Sequence, residues 1–263
     1  MTRFYRDIKH YLKYSIYAAR AELKAEVSGS YLNWIWWILE PLCMMLVYSF
    51  VFGVIFSASS EFFPAFIFVG LTLWNFFSTN LKNSVKLMKN RKELVSKVYL
   101  PKFILVETKM FVNGFKMMMS FGIIILMMIF FQVPITWNLL LAFPVLLSLW
   151  ILTFGLMTIL IHFGVYVEDL STVVDIGLRL MFFVTGVMFS IEDRIGASHP
   201  WLASLLGTWN PIAFLITSMR DSILYGMTPN LLLLGVWTAV GIGISAIGIS
   251  LIYRFENSYV KVM

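Results

Sequence analysis

The chain has 263 residues, of which 60% are hydrophobic and 13% charged, with a net charge of +6. A soluble domain carries about a quarter charged residues, so the composition excludes a soluble globular protein and predicts an all-α integral membrane one. One cysteine, Cys43, rules out an internal disulfide framework, and the +6 speaks of orientation in a membrane rather than affinity for nucleic acid.

Residues 3 to about 27 predict an amphipathic helix. At about 100° per residue, Arg6, Lys9, Lys13, Arg20 and Lys24 share one narrow sector, and Tyr5, Ile8, Leu12, Ile16, Ala19 and Leu23 share its neighbour. A basic stripe beside an apolar one is the pattern of a helix lying in the membrane interface. A soluble amphipathic helix packed on a partner is the alternative. The segment has no short apolar core with a small-residue cleavage site, so no removable signal is expected. Ser28-Gly29-Ser30 ends it and divides the interfacial segment, 1–30, from a single six-span membrane domain, 31–263.

The first span is predicted from about Asn33 to Phe56, opening on Trp34, Trp36 and Trp37 and carrying Glu40-Pro41 near its entrance. The proline there permits a kink. Pro64 suits the first turn of the second span, which reaches about Thr79 or Leu81 and includes Trp74. Lys82 to Lys102 then forms a polar interruption holding seven of the twenty Lys and Arg residues. Within it Asn90 and Glu93 fit a capping box, Leu94, Val95 and Val98 supply an apolar face, and Pro101 forbids continuation. A short separate helix at about 90–99 is expected.

The third span follows to Phe131, with Lys109 and Lys116 required to be wet or to snorkel. The fourth covers about 139–165 and ends at the acidic turn Glu168-Asp169. The fifth covers about 171–189, with Asp175 and Arg179 spaced to pair on one face. In 198–225, Ser198 and Asn210 are expected caps, Pro200 and Pro211 helix starters, and Gly207 and Gly226 stops. Each piece is too short for a bilayer core of about 30 Å, so two re-entrant or surface-dipping helices are expected. A tilted seventh span is the competing reading. The last span runs from about Leu231 to Tyr253, with Gly235, Gly241, Gly243 and Gly248 permitting close helix contact.

Of the twenty Lys and Arg residues, six lie before span one, nine between Lys82 and Lys116, and two in the tail. That bias places both termini and the basic helix in the cytoplasm and the re-entrant pair outside. No Gly-x-x-x-x-Gly-Lys-Ser/Thr loop is present, so ATP binding of the Walker type is not expected in this chain. His10, His162 and His199 lack metal-ligand spacing, and His162 reads as a hydrogen-bonded structural residue. No catalytic constellation and no metal site are predicted. A carrier driven by an ion gradient would want mid-membrane carboxylates, which these spans scarcely supply.

The segment Tyr31 to Leu42 leading into Val47 to Phe56 resembles the permease subunit of bacterial ABC transporters that export lipid-linked polysaccharide: O-antigen, capsule or wall teichoic acid. Phe66 to Leu71, Trp74 to Ser78, Lys97 to Lys102, Tyr166 to Leu170, Trp209-Asn210-Pro211 and Arg220-Asp221 extend the resemblance over nearly the whole chain. It implies a homodimer paired with two copies of a cytoplasmic ATP-binding subunit, which holds the ATP and Mg, in the bacterial inner membrane. The short basic helix becomes a coupling helix, with Asn90, Glu93, Leu94, Val95 and Val98, and the acidic turn Glu168-Asp169, at the docking surface. Trp34, Trp36, Trp37 and Trp74 become candidates to line a polymer channel or anchor in the interface. Where relatives carry a proline-containing stretch after the equivalent of Phe182-Phe183, this chain has Val184-Thr185-Gly186-Val187, and Gly186 is expected to supply the bend. Two other readings share part of these features: a permease of the same superfamily for a drug or simple lipid, and a membrane-bound lipid-substrate transferase.

Overall fold

The computed structural model describes residues 2–29, 32–55, 61–97 and 100–262, and every regular element among them is helical. They are α1 (Thr2–Val27), α2 (Asn33–Tyr48), α3 (Phe63–Asn90), α4 (Lys92–Lys97), α5 (Phe103–Phe130), α6 (Ala142–Tyr166), α7 (Leu170–Val184), α8 (Ile191–Ile195), α9 (Pro200–Gly207), α10 (Pro211–Ile223) and α11 (Leu231–Val262). α2 continues as π-helical turns over Ser49–Ile55, and a 3-10 turn, Trp137–Leu141, leads into α6.

α3 is the hub of the bundle. From Ala65 to Trp74 every residue is buried, as expected of a helix apolar around its whole circumference. α2, α5, α6, α7 and α10 pack around it. Polar pegs fix its register: Asn113 Nδ2 on α5 donates to Asn80 Oδ1 at 2.8 Å, and Asn80 Nδ2 donates to the Phe76 carbonyl at 2.8 Å. In a bilayer, packing and such bonds replace the hydrophobic effect as the force between helices. α6 and α11 pack through small residues. A Cβ on Gly248 would collide with Thr158, and one on Gly241 would lie 3.2 Å from the Leu152 backbone. Gly235 and Gly243 face open space instead, so only half of the expected glycine contacts form.

Several expected boundaries move. α3 does not stop near Leu81 but runs to Asn90, because Lys82, Lys86 and Lys89 are good helix formers with no breaker among them. Asn90 is therefore the last residue of α3 rather than the cap of α4, and the break falls at Arg91, whose φ is −115°. Ser198 does not cap α9: its hydroxyl donates to the Ile195 carbonyl, and His199 flanks the helix instead. Asn210 does cap α10, accepting from the amides of Ile212 and Ala213 at 3.2 and 3.4 Å. α7 ends at Val184 rather than near Phe189, with Gly186 in the left-handed region at φ 66°. α11 continues through the expected tail to Val262, and Tyr259 on it hydrogen-bonds His162 Nδ1 at 2.7 Å.

Among the described residues, four helical stretches are long and apolar enough to cross a membrane: Asn33–Ile55, Phe103–Phe130, Trp137–Tyr166 and Leu231–Glu256. The α9–α10 pair, bent by 88°, would make a fifth if it were one broken span. α3 has the length, but Asn75, Ser78, Thr79 and Asn80 interrupt its apolar run. α7 has 15 residues, about 22 Å at about 1.5 Å per residue. The architecture is that of a multi-pass helical membrane protein.

Candidate functional site

The three faces of α1 are set by helical periodicity. Phe4, Ile8, Tyr11, Ser15 and Ala19 turn toward the bundle, where Ser15 and Ala19 are buried and Phe4 lies 4.9 Å from the Phe103 ring. Tyr5, Leu12 and Ile16, of the expected apolar stripe, are exposed on the next sector. Arg6, Lys9, Lys13, Arg20 and Lys24 are exposed beyond them. The packed face lies beside the apolar stripe and shares Ile8 and Ala19 with it, leaving an apolar strip and a basic strip free side by side.

A cleft opens between α2, α3 and α7. Its main cavity is about 490 Å³, lined by Glu40, Asn75, Ser78, Thr79, Lys82 and Arg179 with Tyr48, Trp74 and Phe182. A second cavity of about 250 Å³ lies between α2, α3 and α5, lined by Trp37, Thr72, Asn113, Lys116 and Ser120. Glu40, Pro41, Asn75 and Thr79 line both, so the two form one polar groove beneath α2. Asn75, Thr79, Lys82 and Lys86 follow helical spacing, which puts a polar stripe on one side of an otherwise apolar helix. The ring pairs Trp74–Phe182 at 5.6 Å and Tyr48–Phe182 at 6.0 Å form an aromatic wall.

Lys82 Nζ lies 3.3 Å from Asp175 Oδ1, so the expected ion pair within α7 is replaced by one between α3 and α7. Arg179 is left facing the cleft. The four tryptophans separate. Trp74 is 6% exposed and Trp37 half-buried, and both line the groove. Trp34 and Trp36 are 44% and 57% exposed and line neither cavity.

At the lysine-rich end of α3, Leu94 on α4 is partly buried against the core, and Glu93 is exposed. The Val95 side chain and all of Val98 lie outside the described residues. Glu168 is exposed, with Oε1 3.8 Å from Lys89 Nζ at the end of α3, and Asp169 is exposed just before α7. The acidic turn therefore stands close to the α3–α4 break. Lys109 and Lys116 are neither bare nor snorkelling: Glu22 pairs with the first, and Glu26 Oε2 lies 2.6 Å from Lys116 Nζ. Lys102, buried before α5, has its pKa held below the ordinary lysine value by burial, with Glu256 pulling it back up.

At the opposite end Arg220 is 2% exposed. Its Nε donates to the Phe66 carbonyl at 3.1 Å, Nη1 to Gly186 at 2.9 Å and Nη2 to Val187 at 2.7 Å. Its Cζ lies 3.4 Å from the centre of the Phe66 ring. One planar guanidinium thus ties α10 to α3 and to the turn after α7, and a Cβ on Gly70 would collide with it. Gly186, expected only to bend the chain, also presents one of these carbonyls.

Sequence reasoning missed Glu22, Glu26, Asn75, Thr79 and Lys82 as parts of one assembly. The available signal was spacing: Glu22 and Glu26 one turn apart on α1, and Lys109 and Lys116 two turns apart on α5.

The fold and groove define a polytopic membrane protein with a polar path beside its central helix and a short helix outside the bundle. The chain belongs to the ABC-2 type transporter family, whose model matches residues 16–224. It is 32% identical over 222 residues to the O-antigen export system permease protein RfbA of Myxococcus xanthus, covering 84% of both chains. A protein of the same description from Klebsiella pneumoniae is 22% identical over 243 residues, covering 92% of each.

Proposed function

We propose that the chain is the membrane-spanning subunit of an ATP-driven exporter of a lipid-linked polysaccharide, of the O-antigen, capsule or teichoic-acid kind. The observation that carries this reading is the groove of Glu40, Asn75, Thr79, Lys82 and Arg179 beside Trp37 and Trp74, within a bundle otherwise built of apolar helices. Polar groups at membrane depth mark substrate paths, and sugars bind surfaces that combine aromatic faces with hydrogen-bonding groups. The names of the curated relatives point to the same cargo.

In this reading α2, α3, α5, α6, α7 and α11 are six spans, with both termini cytoplasmic in the bacterial inner membrane. α9 and α10 dip into the outer side. The free faces of α2 and α7 meet a second copy, so that two grooves enclose the path. α4 docks on a separate ATP-binding subunit that holds ATP and Mg, one per permease, and the chain itself catalyses no reaction. The free apolar and basic strips of α1 lie in the interface, with Arg6, Lys9, Lys13, Arg20 and Lys24 on anionic headgroups.

The test is a deletion strain complemented with variants. Wild type should restore the surface glycan, and its loss should leave lipid-linked glycan accumulating inside. Unchanged surface glycan in the deletion strain, with another lipid or small molecule retained, would contradict the assignment.

A further inference from the structure

We propose that Glu22 is a positioning residue that ties the docking helix to the wall of the membrane groove, with Glu26 as its second pin. The proposal rests on α4 being the element that seats on the ATP-binding partner.

Both carboxylate oxygens of Glu22 are engaged. Arg91 Nη2 donates to Oε2 at 2.8 Å, and Lys109 Nζ pairs with Oε1. Arg91 is the break between α3 and α4, so a tilt of α4 bears on this carboxylate as well as on the Leu94 contact with the bundle. Glu26, one turn further along α1, holds Lys116 on α5. Lys116 Nζ lies 5.1 Å from the Trp37 ring, and Lys116 and Trp37 both line the groove beside Glu40 and Asn75. A continuous set of contacts therefore runs from Arg91 through Glu22, α1 and Glu26 to Lys116 and Trp37.

The geometry is that of a lever. Glu22 is only 17% exposed and Lys109 18%, so that pair is shielded from water more than a surface ion pair would be, while Arg91 is 48% exposed. Between Arg91 and Trp37 no flexible loop intervenes: the intermediates are side chains on α1 and α5, both continuous helices through these positions. The other end of α1 is anchored separately. Tyr253 donates to Asp7 Oδ2 at 2.7 Å, and Arg3 Nη2 lies 2.9 Å from Glu256 Oε1. Anchoring and transmission are thus spatially separated on one helix, which lets one be broken without the other.

The experiment uses the whole complex with its ATP-binding partner. Glu22→Gln and Glu26→Gln should leave the complex assembled and its ATPase activity close to wild type, while export falls about tenfold, within the range of a coupling free energy between two sites. Asp7→Asn, at the anchoring end, should leave the ratio of export to ATP hydrolysed unchanged. A parallel drop of export and ATPase activity in Glu22→Gln, or the same uncoupling in Asp7→Asn, would overturn the proposal. A Lys92→Cys cross-link to the partner, tested in the otherwise wild-type complex, checks the docking of α4 separately. Its absence would remove the premise, whereas its presence with a coupled Glu22→Gln complex would remove only the lever.

Discussion

Arg220 shows how much one side chain organises. Its three carbonyl partners come from two different elements, and removing the guanidinium strands those of Gly186 and Val187, while Phe66 keeps its bond within α3. Each buried group left unpaired costs about 1–3 kcal/mol. Arg220→Met should therefore lower folded yield and thermal midpoint in detergent sharply. Arg220→Lys should rescue little, because a single ammonium cannot reproduce the planar fork. Gly70→Ala should mimic the defect by displacing the guanidinium, and a midpoint equal to wild type for Gly70→Ala would sink this account. The sequence shows that Arg220 follows a capped helix start, but not that it points inward. That depends on Phe66 and Gly186, which lie 154 and 34 residues away and become neighbours only on folding.

At the scale of elements, the helices legible in advance were those with strong local signals. Pro64, Asn210-Pro211 and Gly226 gave correct starts and stops because caps act within one turn. The stretch after Leu81 misled because its positive charge reads as a loop, whereas lysine is an adequate helix former and the helix simply continues to Asn90. The face of α1 that packs on the bundle, with Phe4, Tyr11 and Ser15, was not legible, because hydrophobicity alone does not tell lipid from protein as the neighbour. Two predictions belong here. Leu94→Asp with Val95→Asp should leave the protein inserted but abolish coupling to the ATP-binding partner, and undiminished export by the double variant would contradict the docking role. Trp37→Ala with Trp74→Ala should lower export well below that of Trp34→Ala with Trp36→Ala at equal complex assembly. Equal losses from the two pairs would mean that all four serve as interface anchors.

For the whole molecule, composition alone indicates a membrane bundle. The groove was hidden because its walls come from four helices: α3 supplies Thr72, Asn75, Ser78, Thr79 and Lys82, α5 Asn113, Lys116 and Ser120, and α2 and α7 little beyond Glu40 and Arg179. No single span looks like a path. The central claim is that a glycan passes through that groove. It is tested most directly by replacing Trp74 with a photo-crosslinking amino acid in the complex with its ATP-binding partner and irradiating during export. The account predicts a glycan-bearing adduct at position 74 that disappears when ATP is withheld and the groove is not loaded, with none at the exposed Trp201 on α9. An adduct confined to membrane lipid at both positions, with export intact, would contradict it.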